Sequence, residues 1–577
     1  MKRILKYFKP NLPLTLLGIL LVGLSALVEL YQIRVMGNII DIGIANADMN
    51  LILKLGGLMI LVAIVGVGVA LLGLIIPATV TNRVAHRLRS DLYEKIQKFS
   101  VKNVNKFQTA SLITRLTNDV DFIQRTALMT LRMFVRAPVL LVSTVYLTYI
   151  TNRSLSRIPM VAVILLAIAM GLVVTKGFPK FIRVQDRLDK LNKKIQESLM
   201  NIRVIKSFVR EDYEDQRFSE ENKEYYGAAL DAHNLMLLID PALSVAINFS
   251  TVLIMWFASF LILDQQTLTI GDLLVFVNYL RFTMFSMNMM THVFMMFTRS
   301  KASLMRINAV FDEVIDISNK EDAIVTDLKG HIEFRNVSFK YYEEESVKNT
   351  LSNLSFTIKP GEKIGIIGST GSGKTTLVNL LGRLIDPTEG QIFVDGLPIS
   401  DYDIKSLRKT FGFVPQKNVL FSGTIASNLR LGNPDADVSL MDKVTKAASI
   451  HAFIEDSIDG YDTVVQQGGV NFSGGQRQRL CIARALAIDP KVLILDDSTS
   501  ALDAATEGRV RETVNEEFKG LTLISVAQKI SSVANMDRII VLNEGVIVGY
   551  DTHDNLLESS SVYQEIYQSQ MRNGVSA

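Results

Sequence analysis

The chain has 577 residues, 48% of them hydrophobic and 21% charged, with 61 Lys and Arg against 58 Asp and Glu and a formal net charge of +3. That apolar fraction, with only 35 Gly and 13 Pro, excludes a disordered or collagen-like chain. The single Cys481 excludes a disulfide framework or a multi-thiolate zinc site, and the small net charge gives no case for nucleic-acid binding.

The length is too great for one hydrophobic core. A mean hydropathy of +0.25 is high for a soluble protein, yet one charged residue in five is too many for a chain wholly in membrane, so the average points to two unlike halves. Long uncharged runs cover residues 12–28, 55–79, 137–152, 158–175, 241–263 and 282–297. Each approaches or exceeds the roughly 20 residues a helix needs to cross about 30 Å of hydrocarbon. Six spans are expected, and none after about residue 300. Lys2, Arg3, Lys6 and Lys9 precede the first run without an acid, whereas the loop behind it carries Asp41 and Asp48. This asymmetry puts the N-terminus in the cytosol. The first run continues too far for a secretory signal and lacks a small-residue cleavage site.

Residues 81–136 and 180–226 contain no Gly and no Pro, are rich in charge, and repeat apolar residues at helical spacing, as in Leu188, Leu191, Ile195 and Leu199. They read as helices continuing beyond the bilayer. At 1.5 Å per residue, a stretch of this length folded back on itself projects roughly 35 Å into the cytosol. The tips are expected at residues 105–111 and 208–218.

From about residue 330 the pattern changes to short β-rich runs. A strand at 363–368 leads into Ser369-Thr370-Gly371-Ser372-Gly373-Lys374-Thr375-Thr376 and an apolar helix. This is Gly368-x-x-x-x-Gly373-Lys374-Thr375 in the strand, loop, helix setting of a phosphate-binding loop. Its glycines let backbone N–H groups converge on phosphate at a helix N-terminus. Lys374 is expected to reach the β- and γ-phosphates of ATP, and the Thr375 hydroxyl to hold Mg²⁺. The apolar run 492–495 reads as a buried parallel strand that ends in Asp496, where open α/β sheets bind their ligands. Asp496 is the second candidate holder of Mg²⁺.

Between these motifs, Phe472-Ser473-Gly474-Gly475-Gln476 opens another helix, and here the sequence resembles the ATP-binding cassette (ABC) family. Ser473 to Gln476 is similar to the family's signature loop, Gln416 to its Q-loop glutamine and further metal contact, Tyr341 to the aromatic that stacks on adenine, and the run ending in Asp503 to its D-loop. The resemblance covers the whole chain. It implies a half-transporter of the exporter type in the cell membrane: an all-α six-helix transmembrane domain with long cytosolic extensions over residues 1–320, then an α/β P-loop ATPase domain over 321–577. Such a half pairs with a second half, and its stalk tips are coupling helices.

Two positions depart from the family pattern. The residue after the strand's Asp is usually a Glu acting as general base, and here it is Asp497, one methylene shorter. The residue after the run 523–527 is usually a His, and here it is Gln528, which donates a hydrogen bond but carries no charge. Both fall in this chain's own site while its signature loop is intact. The expectation is a site that binds ATP and hydrolyses it slowly. The partner is then a different half with the consensus Glu and His, as in bacterial heterodimeric multidrug exporters; the alternative is a working homodimer that tolerates both substitutions, such as a flippase of lipids or lipid-linked substrates.

The last apolar run holds Met284, Met287, Met289, Met290, Met295 and Met296. Flexible thioethers suit a surface that re-packs around varied apolar ligands, although helix packing explains them equally. Glu29 and Arg281 stand at or near membrane depth, where ionisable groups face a cavity or a partner. Glu29, Arg281, Met284, Met287 and Asn288 are therefore candidates for a cavity that takes hydrophobic drugs or, as a second reading, lipids. A mainly regulatory ATP-binding subunit is a further alternative. The sequence shows no peptidase domain before the first span, which disfavours a peptide-processing exporter.

Overall fold

The computed structural model describes residues 2–263, 268–341, 348–497 and 504–574. The chain forms two compact units, Met1–Ile96 with Ala110–Asp312, and Gln97–Thr109 with Glu313–Ala577.

The first unit is built of long helices. A short amphipathic α1 (Lys2–Phe8) precedes α2 (Leu12–Asn38), whose Pro13 sits in the first turn, where its missing N–H costs nothing. Then come α3 (Met49–Gln97), α4 (Val101–Phe107) and α5 (Thr109–Thr114). They are followed by α6 (Val120–Met129), α7 (Val135–Thr151), α8 (Arg157–Met200), α9 (Ile202–Ser207), α10 (Glu211–Leu237), α11 (Ile239–Leu263) and α12 (Ile270–Asp312). Among the described residues, five helical segments are long and apolar enough to cross a membrane: Arg3–Ile44, Met49–Gln97, Thr109–Thr151, Ser244–Leu263 and Ile270–Met290. The remaining expected span, 158–175, lies on α8, where part of the side chains fall outside the described set. On α3 the apolar face stays open, with Ile60 and Ile64 65% and 68% exposed, as a face toward acyl chains would be. Small residues let α2 approach it: a Cβ on Gly66 would lie 3.0 Å from Val28, and one on Gly18 3.2 Å from Pro77.

Two π-helical turns, Arg115–Asp119 and Thr130–Phe134, interrupt the segment from α5 to α7. Such turns insert a residue and re-aim the side chains around them. The first directs the buried Asp119 onto Arg306 of α12, with Nε donating to Oδ2 at 2.8 Å. Just beyond the second, Arg136 donates to both oxygens of Glu29 at 2.6 and 2.7 Å.

The stalk tips differ from expectation in detail. The first helix, α4, covers 101–107 rather than 105–111, because Ser100 caps it and Gln108, at φ 63°, ends it. At the second tip the chain turns at Phe208 and Val209, which are 73% and 81% exposed, while Phe218 already lies on the shaft of α10. Phe208 therefore does not pack inside the stalk.

The second unit adds an α/β domain. An antiparallel sheet in the order β2-β1-β4-β5 is formed by β1 (Ile332–Phe339), β2 (Leu351–Ile358), β4 (Glu389–Val394) and β5 (Leu397–Pro398). A six-stranded sheet in the order β12-β11-β3-β10-β9-β6 is formed by β3 (Lys363–Gly368), β6 (Phe411–Val414), β9 (Val492–Asp496), β10 (Thr522–Val526), β11 (Arg538–Asn543) and β12 (Val546–Asp551). All of its pairings are parallel except β11 with β12. Central strands β9 and β10 are buried at every position, as a parallel sheet covered on both faces requires. After α14 (Ile404–Lys409), a helical lobe holds β7 (Gly423–Thr424) paired with β8 (Val464–Val465), together with α15 (Ile425–Arg430), α16 (Val438–Ala447) and α17 (His451–Glu455). For the site three more elements matter: α13 (Lys374–Leu381) behind β3, α18 (Gly474–Leu486) and α19 (Ala504–Glu517).

Candidate functional site

The register of the parallel strands builds the site. Val526 of β10 pairs with Asp496 of β9 on one side and Ile366 of β3 on the other, and Leu495 pairs with Val414 of β6. The C-terminal ends of four strands are thereby level, and the residues just beyond them share one edge. Those residues include Ser369 after β3, Gln416 after β6, Asp497 after β9 and Gln528 after β10. Backbone bonds from Asp497 N to Val526 O (3.1 Å) and from Ala527 N to Ile366 O (3.0 Å) pin the edge.

The loop 369–373 wraps the N-terminus of α13. Gly371 and Gly373 adopt φ of 84° and 100°, and a Cβ on Gly373 would stand 2.6 Å from Leu351, so only glycine fits there without strain. Gly368 is needed for another reason: a Cβ there would meet Leu542 O and Ser372 Oγ. Gly545 N donates to Ser372 O at 3.2 Å, so the turn between β11 and β12 buttresses the loop. That support was missed in the sequence, although the turn signal Asn543-Glu544-Gly545 was there to read. Ser369, Thr370 and Gly371 are exposed at the loop's crest, whereas Ser372 and Thr376 are buried. Among the described residues, the buried Ser372 hydroxyl has no hydrogen-bond partner.

Lys374 reaches back over this loop, Nζ donating to Gly368 O and Ser369 O, both at 2.8 Å. Burial pushes its ammonium below the usual lysine value, with Asp497 and Asp496 opposing the shift. The Asp496 carboxyl, 2% exposed, is pushed up by burial and by Asp497, against the Thr375 hydrogen bond and Lys374. Thr375 Oγ1 donates to Asp496 Oδ1 at 3.3 Å. A hydroxyl and a carboxylate joined at a helix N-terminus, beside a lysine and a ring of backbone amides, suit a polyphosphate carrying a divalent cation. Tyr341, the expected base-stacking aromatic, is half-buried, its hydroxyl 3.2 Å from Thr376 Oγ1 and its ring edge-on to Phe339 at 4.9 Å.

Across the pocket the two departures meet. Gln528 Nε2 donates to Asp497 Oδ2 at 2.6 Å, and Gln416 Nε2 reaches the same oxygen at 3.5 Å. Gln416, expected as a metal contact, thus faces Asp497 here rather than the Thr375–Asp496 pair. Asp497 itself sits at φ 50°, a conformation that short Asp and Asn tolerate better than most side chains.

The signature candidate is preorganised as a helix start. Ser473 caps α18, its Oγ accepting from Gln476 N at 3.2 Å while Gln476 Oε1 accepts from Ser473 N at 2.8 Å. The reciprocal pair satisfies two orphan donors and leaves Gly474 and Gly475 in the first turn. Phe472 is buried edge-on against Phe453. The candidate Asp503 lies outside the described residues.

Of the membrane candidates, Arg281, Met284 and Asn288 line one cleft of about 640 Å³ with Ser244, Ile247, Phe282 and Phe285. Met287 is buried in helix packing, in a cluster with Leu155, Ala162, Ile254 and Ala258 that also holds Met284. Glu29 does not line this cleft; it is the partner of Arg136.

Residues 15–287 match the family model of the ABC transporter transmembrane region, and residues 351–500 match the family model described as ABC transporter. The uncharacterized ABC transporter ATP-binding protein YfiB of Bacillus subtilis is 37% identical over 99% of this chain and 98% of its own length. The ATP-dependent lipid A-core flippase of Syntrophus aciditrophicus is 31% identical over 99% of this chain and 94% of its own. A bacterial Atm1-family ABC exporter solved with ATP bound superposes with a TM-score of 0.79 at 25% identity, covering 98% of both chains. With helical spans in one half and a phosphate loop at the edge of a parallel sheet in the other, this chain belongs to the ABC transporter family, as a multi-pass exporter half-transporter with a C-terminal cytosolic ATPase domain.

Proposed function

We propose that this chain is the subunit of a heterodimeric exporter whose own nucleotide site binds ATP with Mg²⁺ but hydrolyses it slowly. Its signature loop completes the catalytic site of a different partner half. The observation that carries the reading is the Gln528–Asp497 contact at 2.6 Å. A general base must stand within about 2.6–3.2 Å of the proton it takes. Asp497 is a methylene shorter than the usual Glu, and one of its oxygens already accepts from an amide. A retreat of ~1 Å at such a position costs on the order of 100-fold in rate. Gln528 supplies no positive charge for the γ-phosphate.

On this reading the loop 369–373 and Lys374 grip the phosphates, Thr375 and Asp496 hold Mg²⁺ with Gln416 as a further contact, and Tyr341 stacks on the base. Mg²⁺, when bound, neutralises charge that develops on the phosphate oxygens. The orphaned Ser372 hydroxyl and the raised Asp496 carboxyl fit a triphosphate and a cation at this edge. Ser473, Gly474, Gly475 and Gln476 present their capped helix start to the partner's ATP, and Asp503 is the D-loop residue of this reading.

The substrate reading is hydrophobic or amphipathic compounds moved out of the cytosol. The cleft lined by Arg281, Phe282, Met284, Phe285 and Asn288 supports it, since its volume of about 640 Å³ falls within the range of small-molecule sites. A lipid substrate is the second reading, favoured by 31% identity across nearly the whole length of the lipid A-core flippase.

The test is ATPase activity of the purified chain alone and with candidate halves from the same cell. Slow turnover alone, restored by a partner and then abolished by Ser473→Ala, is expected. Brisk turnover of the lone chain that collapses on Asp497→Ala overturns the heterodimer. Efflux of a fluorescent dye against flipping of a labelled phospholipid, in the same vesicles, separates the two substrate readings.

A further inference from the structure

Two segments carry the chain between its compact units: the hairpin around α4, which enters the second unit at Gln97 and leaves it at Thr109, and the junction Asp312–Glu313 behind α12. Within the second unit these segments are tied together by one carboxylate. Lys106 Nζ of α4 donates to Glu313 Oε1 and Oε2, each at 2.8 Å. Asn103, one turn earlier, donates from Nδ2 to Glu313 Oε1 and to Val314 O, each at 3.2 Å. The amide orientation is fixed by the other end of Asn103, where Oδ1 accepts from Ser100 N at 3.2 Å in the capping box of α4. Asn103 is 5% exposed, and only 14% of the Glu313 side chain is open to solvent. The stacked rings of Phe99 and Phe107 close the base of the hairpin.

The linker behind Glu313 is irregular but held to the ATPase domain: Ile324 N donates to Asp401 O and Asp403 N to Ile324 O, both at 2.8 Å, and Ile404 N donates to Asn319 Oδ1 and Ser406 Oγ to Thr326 O, both at 2.9 Å. From 313 to 331 the chain forms neither helix nor strand, apart from one bridge between Ile324 and Tyr402. A displacement of the ATPase domain is therefore carried by the linker as far as Glu313. The clamp at the linker's first residue passes that displacement to α4, which is covalently continuous with the long α3 and with α5.

We propose that Glu313 is a positioning residue for ATP-driven transport: its carboxylate clamps the linker to α4 through Lys106 and Asn103, so that motion of the ATPase domain is delivered to α3 and α5. The clamp belongs to this chain alone and holds for a homodimer or a heterodimer. An ion pair with one exposed member adds little to stability; its value here is geometric.

The test is hydrogen exchange read by mass spectrometry on the complete transporter in lipid nanodiscs, with and without ATP and Mg²⁺. Peptides from 368–376 report nucleotide binding, and peptides from 110–125 report the stalk. In wild type both respond to ATP. In Glu313→Gln and in Lys106→Glu the response at 368–376 persists, while the response at 110–125 shrinks about fivefold or more, the lower end of typical coupling energies. The exchanged pair Lys106→Glu with Glu313→Lys restores it, which a purely structural role of either residue would not. An unchanged stalk response in the single variants overturns the proposal. So does a wild-type stalk that ignores ATP, or a loss that the exchanged pair fails to repair.

Discussion

On one side of the nucleotide pocket the geometry is made by backbone: the loop 369–373 turns through two positive-φ glycines, Lys374 folds over its carbonyls, and the turn at Gly545 supports it from behind. On the opposite side three side chains, Asp497, Gln416 and Gln528, meet around a single carboxylate oxygen. Backbone cradles are specified by steric rules and accept few replacements, whereas a side-chain cluster loses its chemistry with one methylene while the fold stays intact. On the proposed reading the phosphate side can therefore stay complete when the hydrolytic side does not, so that binding separates from turnover.

The largest effect should come from the gripping side. Lys374→Ala removes a charge-assisted contact worth about 2–3 kcal/mol, so nucleotide affinity, measured with a fluorescent ATP analogue, should fall by roughly 100-fold. A fall under threefold would mean that the backbone alone holds the phosphates. On the hydrolytic side the change should be a gain: Asp497→Glu with Gln528→His should raise single-site turnover about tenfold or more, read as phosphate release by this chain with its partner's site disabled. If Asp497→Ala instead lowers turnover as much as Lys374→Ala lowers binding, the two sides are equally intact and the comparison fails.

A smaller effect is expected at Gly373. An added Cβ collides with Leu351 and φ is 100°, so Gly373→Ala should destabilise the ATPase domain by about 1–3 kcal/mol, visible as a lower thermal midpoint. The smallest lies at the rim, where Tyr341→Phe removes only the hydroxyl contact to Thr376. It should cost about 1 kcal/mol or less in ATP affinity, while Tyr341→Ala, which also deletes the ring, should cost more.

How much of this was legible in the sequence depends on the range of the interaction. The phosphate loop and the Ser473 cap are local devices, in which the residues that touch are six or fewer positions apart, and both stand where their spacing put them. The membrane runs were legible because apolar length alone is the signal. Pairings across the chain were not. Glu29 read as a candidate cavity group, but Arg136, 107 residues away, claims it, and no periodicity links the two. The first stalk tip was misplaced by a few residues because its boundaries are set by a cap at Ser100 and a left-handed Gln108, which compete with the continuous helical pattern around them. Met287 read as cavity lining, yet a thioether packs as readily into a helix interface, and only the neighbours decide.

Gln528 and Asp497 lie 31 positions apart and were read separately as departures from a pattern. Their contact exists because parallel strands β9 and β10 pair Asp496 with Val526, so that the next residues of each strand emerge side by side. The sequence by itself determined the family, the two unlike halves, the phosphate loop and the identity of the two altered residues, since these rest on residue type and short spacing. Tertiary structure alone decided that the altered residues touch each other, that Glu29 has a partner, and that Glu313 ties the linker to α4, because register and helix packing fix distances that no local pattern encodes.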